Sequence, residues 1–279
     1  MSEKRYSKRY EKNGACLMSR VSIAAAVGVL SLCGFFSCVA YGDNSLPVLV
    51  VESRNPLTLS VSEQGKSYSL SLPIDFMREI EGVYDSVDIK DLTGDGIGEV
   101  IFHLAGKGVN SCSKVLHYTD SDRSLVELVF SKGDLCDFKV QDGYVVSSYK
   151  DGAAWGEDVY VVKGEKAEIK ISDRCVGCGE VRRKEYRPDG SFVRLLVSDN
   201  VDFEKRAPLV VNVVSFRALI FSSPDAEQPT KKYLVRGDKV TLLGFENARG
   251  EDWIEFRFSG NTTTEGWLKC SDVDSCDEF

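Results

Sequence analysis

Leu57-Thr58-Leu59-Ser60-Val61-Ser62, followed by Tyr68-Ser69-Leu70-Ser71-Leu72, sets apolar against polar side chains at every second position. That period places Leu57, Leu59 and Val61 on one face of an extended chain and Thr58, Ser60 and Ser62 on the other, the pattern of a half-buried strand. The same short period predicts strands over Tyr84 to Ile89, Val100 to Leu104, Lys114 to Tyr118, Leu125 to Phe130, Tyr144 to Tyr149, Asp158 to Val162, Ala167 to Ile171, Val181 to Tyr186 and Phe192 to Val197. Only Ile74 to Ile80 reads as a helical turn or two. Asp142-Gly143, Asp151-Gly152 and Asp189-Gly190 lie between strands and accept the positive φ angles of tight hairpins. Many strands with close-set turns predict an antiparallel all-β fold, for which propeller-like sheets are one form. No exact internal repeat accompanies the pattern.

Upstream, a basic stretch (Lys4, Arg5, Lys8, Arg9, Lys12, Arg20) precedes an apolar run from about Val21 to Tyr41 and small residues at Ala40 and Gly42, so residues 1–42 read as an export signal. A lipoprotein signal using Cys38 and an uncleaved membrane anchor share these residues as alternatives. Removing 1–42 takes six of the 35 basic and two of the 43 acidic residues, leaving 29 and 41 and a net charge of −12. So acidic a chain repels phosphate backbones and attracts cations and basic proteins, which argues against nucleic acid as a partner. No Gly-x-x-x-x-Gly-Lys loop offers a nucleotide site. Of nine cysteines, Cys112, Cys136, Cys175, Cys178, Cys270 and Cys276 lie beyond the signal. An even number in an exported chain predicts three disulfides, and local spacing favours 112–136, 175–178 and 270–276. The expected location is periplasmic or secreted.

Asp91-Leu92-Thr93-Gly94-Asp95-Gly96-Ile97-Gly98-Glu99 joins two strand runs with oxygen ligands at intervals suited to a hard cation. Asp91, Asp95 and Glu99 can supply carboxylates, Thr93 a hydroxyl and Ile97 a carbonyl, while Gly96 allows the sharp turn, so a structural calcium ion is expected. A hairpin turn whose Asp and Gly serve backbone geometry alone is the alternative. Cys175-Val176-Gly177-Cys178 has redox spacing, but strand-like flanks favour a structural bridge, and no second cysteine pair completes a zinc site. His103 and His117 both fall in strands and no Gly-x-Ser-x-Gly elbow exists, so a catalytic set is not expected. Trp155 stands in the glycine-containing turn region Lys150 to Glu157, where an exposed ring makes a candidate anchor for a protein partner.

Near Lys205-Arg206-Ala207-Pro208 the chain changes character, which divides it into 43–207 and 208–279. In the second part, Ala218-Leu219-Ile220-Phe221-Ser222-Ser223-Pro224, Tyr233-Leu234-Val235-Arg236-Gly237-Asp238-Lys239-Val240, Trp253-Ile254-Glu255-Phe256 and Glu265-Gly266-Trp267-Leu268 resemble, in order, a bacterial SH3-like barrel. That resemblance implies a small five-stranded barrel in which Phe221, Tyr233, Trp253 and Trp267 line a groove for a peptide or peptidoglycan, or else fill its core. In the first part, Asp88-Ile89-Lys90-Asp91-Leu92-Thr93-Gly94-Asp95-Gly96 resembles the Asp-Leu-x-x-Asp-Gly loop of a family of exported bacterial β proteins, with Thr93 where that family more often has Asn or Asp. At least one branch of the family acts as a periplasmic inhibitor or immunity protein against a cell-wall hydrolase. The resemblance implies a non-catalytic cell-envelope binding protein whose partner is a basic wall-degrading enzyme; a peptidoglycan- or peptide-binding protein is the alternative.

Overall fold

The computed structural model describes residues 46–276 apart from 107 and 132, so the expected export signal lies outside the described residues. The antiparallel all-β expectation holds. Strands β1 (Val48–Arg54), β2 (Leu57–Glu63) and β3 (Lys66–Leu70) form a three-stranded meander. After helix α1 (Ile74–Ile80) come β4 (Tyr84–Lys90), β5 (Glu99–Leu104), β6 (Cys112–Thr119) and β7 (Ser124–Leu128), with the short β8 (Leu135–Cys136) also paired to β6. A six-stranded meander follows: β9 (Lys139–Gln141), β10 (Tyr144–Asp151), β11 (Ala154–Lys163), β12 (Lys166–Val176), β13 (Glu180–Tyr186) and β14 (Phe192–Ser198). These sheets of three, five and six strands do not repeat as propeller blades.

Alternation in sequence becomes two-sided burial in the sheets. Leu59 and Val61 of β2 join Phe76 and Ile80 of α1 and Val87, Val100, Phe102 and Leu116 in one core. The opposite face of the second sheet sends Ile101, Val115 and Leu128 into a second core with Val145 and Tyr160 of the third. Each such fully buried aliphatic or aromatic side chain contributes about 1.5–3 kcal/mol of transfer free energy. The β9–β10 hairpin turns on Asp142 and Gly143, both at positive φ (51° and 81°), which matches the right-handed twist of its strands.

The second part holds β15 (Val210–Asn212), β16 (Arg217–Leu219), β17 (Tyr233–Val235), β18 (Lys239–Ala248), β19 (Glu251–Ser259) and β20 (Thr263–Lys269). They do not close into the expected barrel: β15, β18, β19 and β20 make a sheet, β16 and β17 a separate ribbon, and a single bridge between Phe221 and Trp267 joins the two. Beyond β15 the chain leaves the β18 ladder: Val213 bridges to Val273 and Val214 N–H donates to the Asp272 carbonyl at 2.9 Å. Across the junction at 205–208 the core is continuous. Leu196 of β14 packs with Val211, Val240, Leu242, Ile254 and Phe256, while Leu243 packs with Val181, Leu195 and Val197.

Candidate functional site

Trp155 opens β11 opposite Lys150 in the β10–β11 hairpin and is 42% exposed. The loop before β6 holds this hairpin in place. Asn110 donates through Nδ2 to the Lys150 carbonyl (3.1 Å) and accepts from the Lys150 N–H through Oδ1 (2.7 Å), a two-point clamp across forty residues. The Cys112 and Cys136 sulfurs lie at bonding distance beside it (1.91 Å), and Ser147 Oγ caps the Cys136 backbone in both directions. Along the next cross-strand row, Arg174 stacks over the Tyr149 ring at 5.1 Å and reaches the buried Asp158 at 3.3 Å, and the Tyr149 hydroxyl donates to Asp158 at 2.8 Å. Burial, reinforced by that carboxylate, pushes the Tyr149 hydroxyl far above its ordinary pKa, so it remains a donor. Gly156 permits this stack: a β-carbon there would come within 2.9 Å of the Arg174 guanidinium and 3.3 Å of the Tyr149 ring. A cleft of about 290 Å³ at the hairpin is rimmed by Asn110, Asp134 and Asp151.

Behind the site lies a buried ionic clamp. Asp173, fully buried, accepts from Arg183 at 2.8 and 2.7 Å and from Arg206 at 2.6 Å. Arg206 also lies 2.7 Å from Glu157, a charge contact off the hydrogen-bonding direction, and donates to the Asn200 carbonyl at 2.7 Å. Burial opposes the Arg206 charge, but the two carboxylates outweigh it and hold its pKa above the ordinary value.

In the 91–99 loop, Asp91 accepts from the N–H groups of Gly94 (2.7 Å) and Gly96 (3.0 Å), and Asp95 from that of Ile97 (2.8 Å). Gly96 takes φ +87°, where a β-carbon would also meet Leu46 at 2.7 Å. Glu99 turns the other way. It is fully buried, accepts the Leu92 N–H at 2.6 Å, and meets His117 Nδ1 at 3.0 Å. The bond to Glu99 raises the His117 pKa against the opposing effect of burial. Both Glu99 oxygens are thus engaged inside the sheet, while those of Asp91 are engaged by the loop's own N–H groups. Among the described residues no group of three or more His, Cys, Asp or Glu side chains is arranged to hold a metal ion.

His103 stands opposite Ser113 across β5–β6. Its Nδ1 meets Ser113 Oγ at 3.0 Å and its Nε2 meets Asp88 at 3.0 Å. A serine, an imidazole and a carboxylate in series are the polar parts of a nucleophilic relay, which further needs open approach to the hydroxyl and donors aimed at a developing oxyanion. Ser113 is 2% exposed at the start of β6, next to the 112–136 bridge. His103 and Asp88 are 33% and 60% exposed at their side chains, and with Ser113 they line a shallow cleft of about 340 Å³. Cys175 and Cys178, 2.14 Å apart at sulfur, occupy the β12–β13 hairpin turn and not a helix start, and Cys270 and Cys276 also lie at bonding distance (1.82 Å).

The C-terminal aromatics do not share one groove. Trp253 is 4% exposed and packs edge-on against Phe221 at 4.9 Å, while Phe221 and Trp267 exchange backbone hydrogen bonds of 2.9 Å. Tyr233 is 49% exposed on the outer face of the β16–β17 ribbon under Arg217, with Phe216 nearby in sequence and 86% exposed. Asn110, Tyr149 and Arg174 are support residues that sequence patterning does not single out, because their roles depend on pairings far apart in the chain.

No family model and no curated protein matches this chain. Among solved structures, one described as a Xanthomonas type IV secretion system related protein is similar, with 17% identity and a TM-score of 0.36 over 53% of this chain and 80% of that one. A likeness of that degree carries no argument about this molecule.

Proposed function

We propose that this chain is an exported, non-catalytic binding protein of the cell envelope, of the inhibitor or immunity type, which neutralises a basic wall-degrading enzyme in the periplasm or outside the cell. The observation that carries the reading is Trp155: a large ring, 42% exposed, on a hairpin whose backbone is clamped by Asn110 and braced by the stacked Arg174 and Tyr149. A large exposed ring on an ordered hairpin backbone makes an efficient anchor. Asp134, Asp151 and the −12 net charge beyond residue 42 supply the field that draws in a basic partner. The three cysteine pairs suit an oxidising compartment. Calcium belongs to this proposal as a structural ion held by Asp91, Thr93, Asp95 and the Ile97 carbonyl.

The test is a turbidity assay of cell-wall lysis by a panel of basic muramidases and amidases. The protein should slow at least one of them, and Trp155→Ala should weaken that inhibition about 10- to 100-fold. Equal inhibition by the variant, or lysis unchanged across the panel, refutes the reading. A second reading, binding of peptidoglycan or a peptide through the C-terminal part, is favoured by the exposed Phe216 and Tyr233. Retention on insoluble sacculi, lost on Tyr233→Ala and kept by Trp155→Ala, would select it.

A further inference from the structure

A cavity of about 610 Å³ is lined by residues of β12, β13 and β14 and by residues of β18, β19 and Trp267. Its volume falls within the range of ligand pockets, about 300–1,000 Å³. Its wall is basic in a chain that is acidic overall. Register explains how: Arg174 of β12 stands directly opposite Arg182 of β13, and Lys184 of β13 directly opposite Arg194 of β14. Two like-charged cross-strand pairs therefore adjoin one another on one face of one sheet.

Like charges directly opposite one another destabilise a sheet. Two of the four are offset within the chain: Arg174 by the buried Asp158 and Arg194 by Glu255, at 2.8 Å. Arg182 makes no ion pair among the described residues, and Lys184 is stacked only over Phe192, at 4.7 Å. Both are exposed. Arg183 between them points to the other face and belongs to the Asp173 clamp. The sheet thus presents two uncompensated cations two residues apart along β13, with a tryptophan facing them across the groove.

We propose that this groove binds an extended acidic peptide segment of a partner protein, with carboxylates on alternate residues meeting Arg182 and Lys184. Side chains two apart on an extended strand recur on one face at about 6.6 Å, which is also the repeat of the two cations on β13. An extended peptide with that spacing satisfies both charges without bending, and an Arg guanidinium matches a carboxylate in two-point fashion. Glu246 and Glu255 on the facing wall disfavour a ligand of uniformly high negative charge such as a polyphosphate. Arg174 borders both this groove and the Trp155 hairpin, but Arg182 and Lys184 lie on β13 away from that hairpin, so the proposal does not depend on the inhibitor reading.

The probe is a capped octapeptide of alternating Glu and Ser, titrated into the full chain by calorimetry and by tryptophan emission, beside its Gln-Ser counterpart and inorganic polyphosphate. Binding of the Glu peptide, at least about tenfold weaker for the Gln peptide and for Arg182→Gln/Lys184→Gln, is the expected result. It should fall with added salt and persist in Trp155→Ala. Both replaced side chains are exposed, so the double variant should keep the wild-type circular dichroism and melting temperature. If it does not, Arg182→Gln alone, with its smaller loss of affinity, serves instead. Equal binding of the Glu and Gln peptides, undiminished binding by a folded variant, no peptide binding at all, or binding of polyphosphate alone overturns the proposal.

Discussion

Replacing Asp173 by Asn should be among the most damaging single changes in the molecule. The substitution keeps the shape and removes one charge. It leaves Arg183, 5% exposed at its side chain, and Arg206, fully buried, facing an amide that can neither balance two guanidinium groups nor accept all three of their hydrogen bonds. Glu157 remains for Arg206, but only through a contact poorly aimed for hydrogen bonding. Removing one partner of a buried ion pair costs about 3–5 kcal/mol, so Asp173→Asn should lower stability by about that amount. In urea, where m is about 3 kcal/mol per molar at the upper end for small proteins, the midpoint should fall by about 1 M. Salt supplies a second readout. An exposed pair is screened, a buried one hardly at all, so the difference between variant and wild type should be nearly the same at low and high ionic strength. Replacing Asp173, Arg183 and Arg206 together by apolar residues of similar volume should cost less than Asp173→Asn alone, since no charge is then left unpaired. A loss below about 1 kcal/mol, the range of an exposed ion pair, would refute the assignment of Asp173 as the centre of the clamp.

Ser113→Ala removes the hydroxyl that meets His103 and should cost about 0.5–1.5 kcal/mol, measured by denaturant melting. Any hydrolysis of an activated ester by the protein should be unchanged; a fall of about tenfold or more would assign Ser113, His103 and Asp88 a catalytic role. Calcium chloride should raise the melting temperature with a concentration dependence set by mass action, about 2.7 kcal/mol at a hundred times Kd. Asp95→Ala should abolish that rise, and no rise in the wild type at about 10 mM calcium would leave the 91–99 loop as a turn held by its own backbone bonds.

The antiparallel class is legible in the sequence because period-two alternation is a local property: Leu59 and Val61 announce their buried face without reference to the rest of the chain. The hairpins at Asp142-Gly143 and Asp189-Gly190 are legible for the same reason. Cysteine pairing by nearest spacing agrees with the three sulfur pairs of the structure. Side-chain roles that depend on remote registers are another matter. Arg174, Arg182, Lys184 and Arg194 look like scattered solvated cations until β12, β13 and β14 are aligned. Trp253 and Trp267 look alike in sequence, yet one is packed under Phe221 and the other faces the large groove. Glu99 counts as a ligand by its place in the loop and becomes the partner of His117 only once β5 and β6 pair. The hydrogen bond from Val214 to Asp272 in the C-terminal part likewise joins residues far apart in the chain.

Leu196 and Leu243 also bear on the order in which the chain can finish folding. Synthesis delivers the six-stranded meander before the six strands that follow it, and until those arrive Leu196 of β14 lacks its partners Val211, Val240 and Leu242. A nascent chain stalled beyond Ser198 would carry a greasy edge, and two such chains could exchange their trailing segments. The strands that follow β14 act as the lid that seals it.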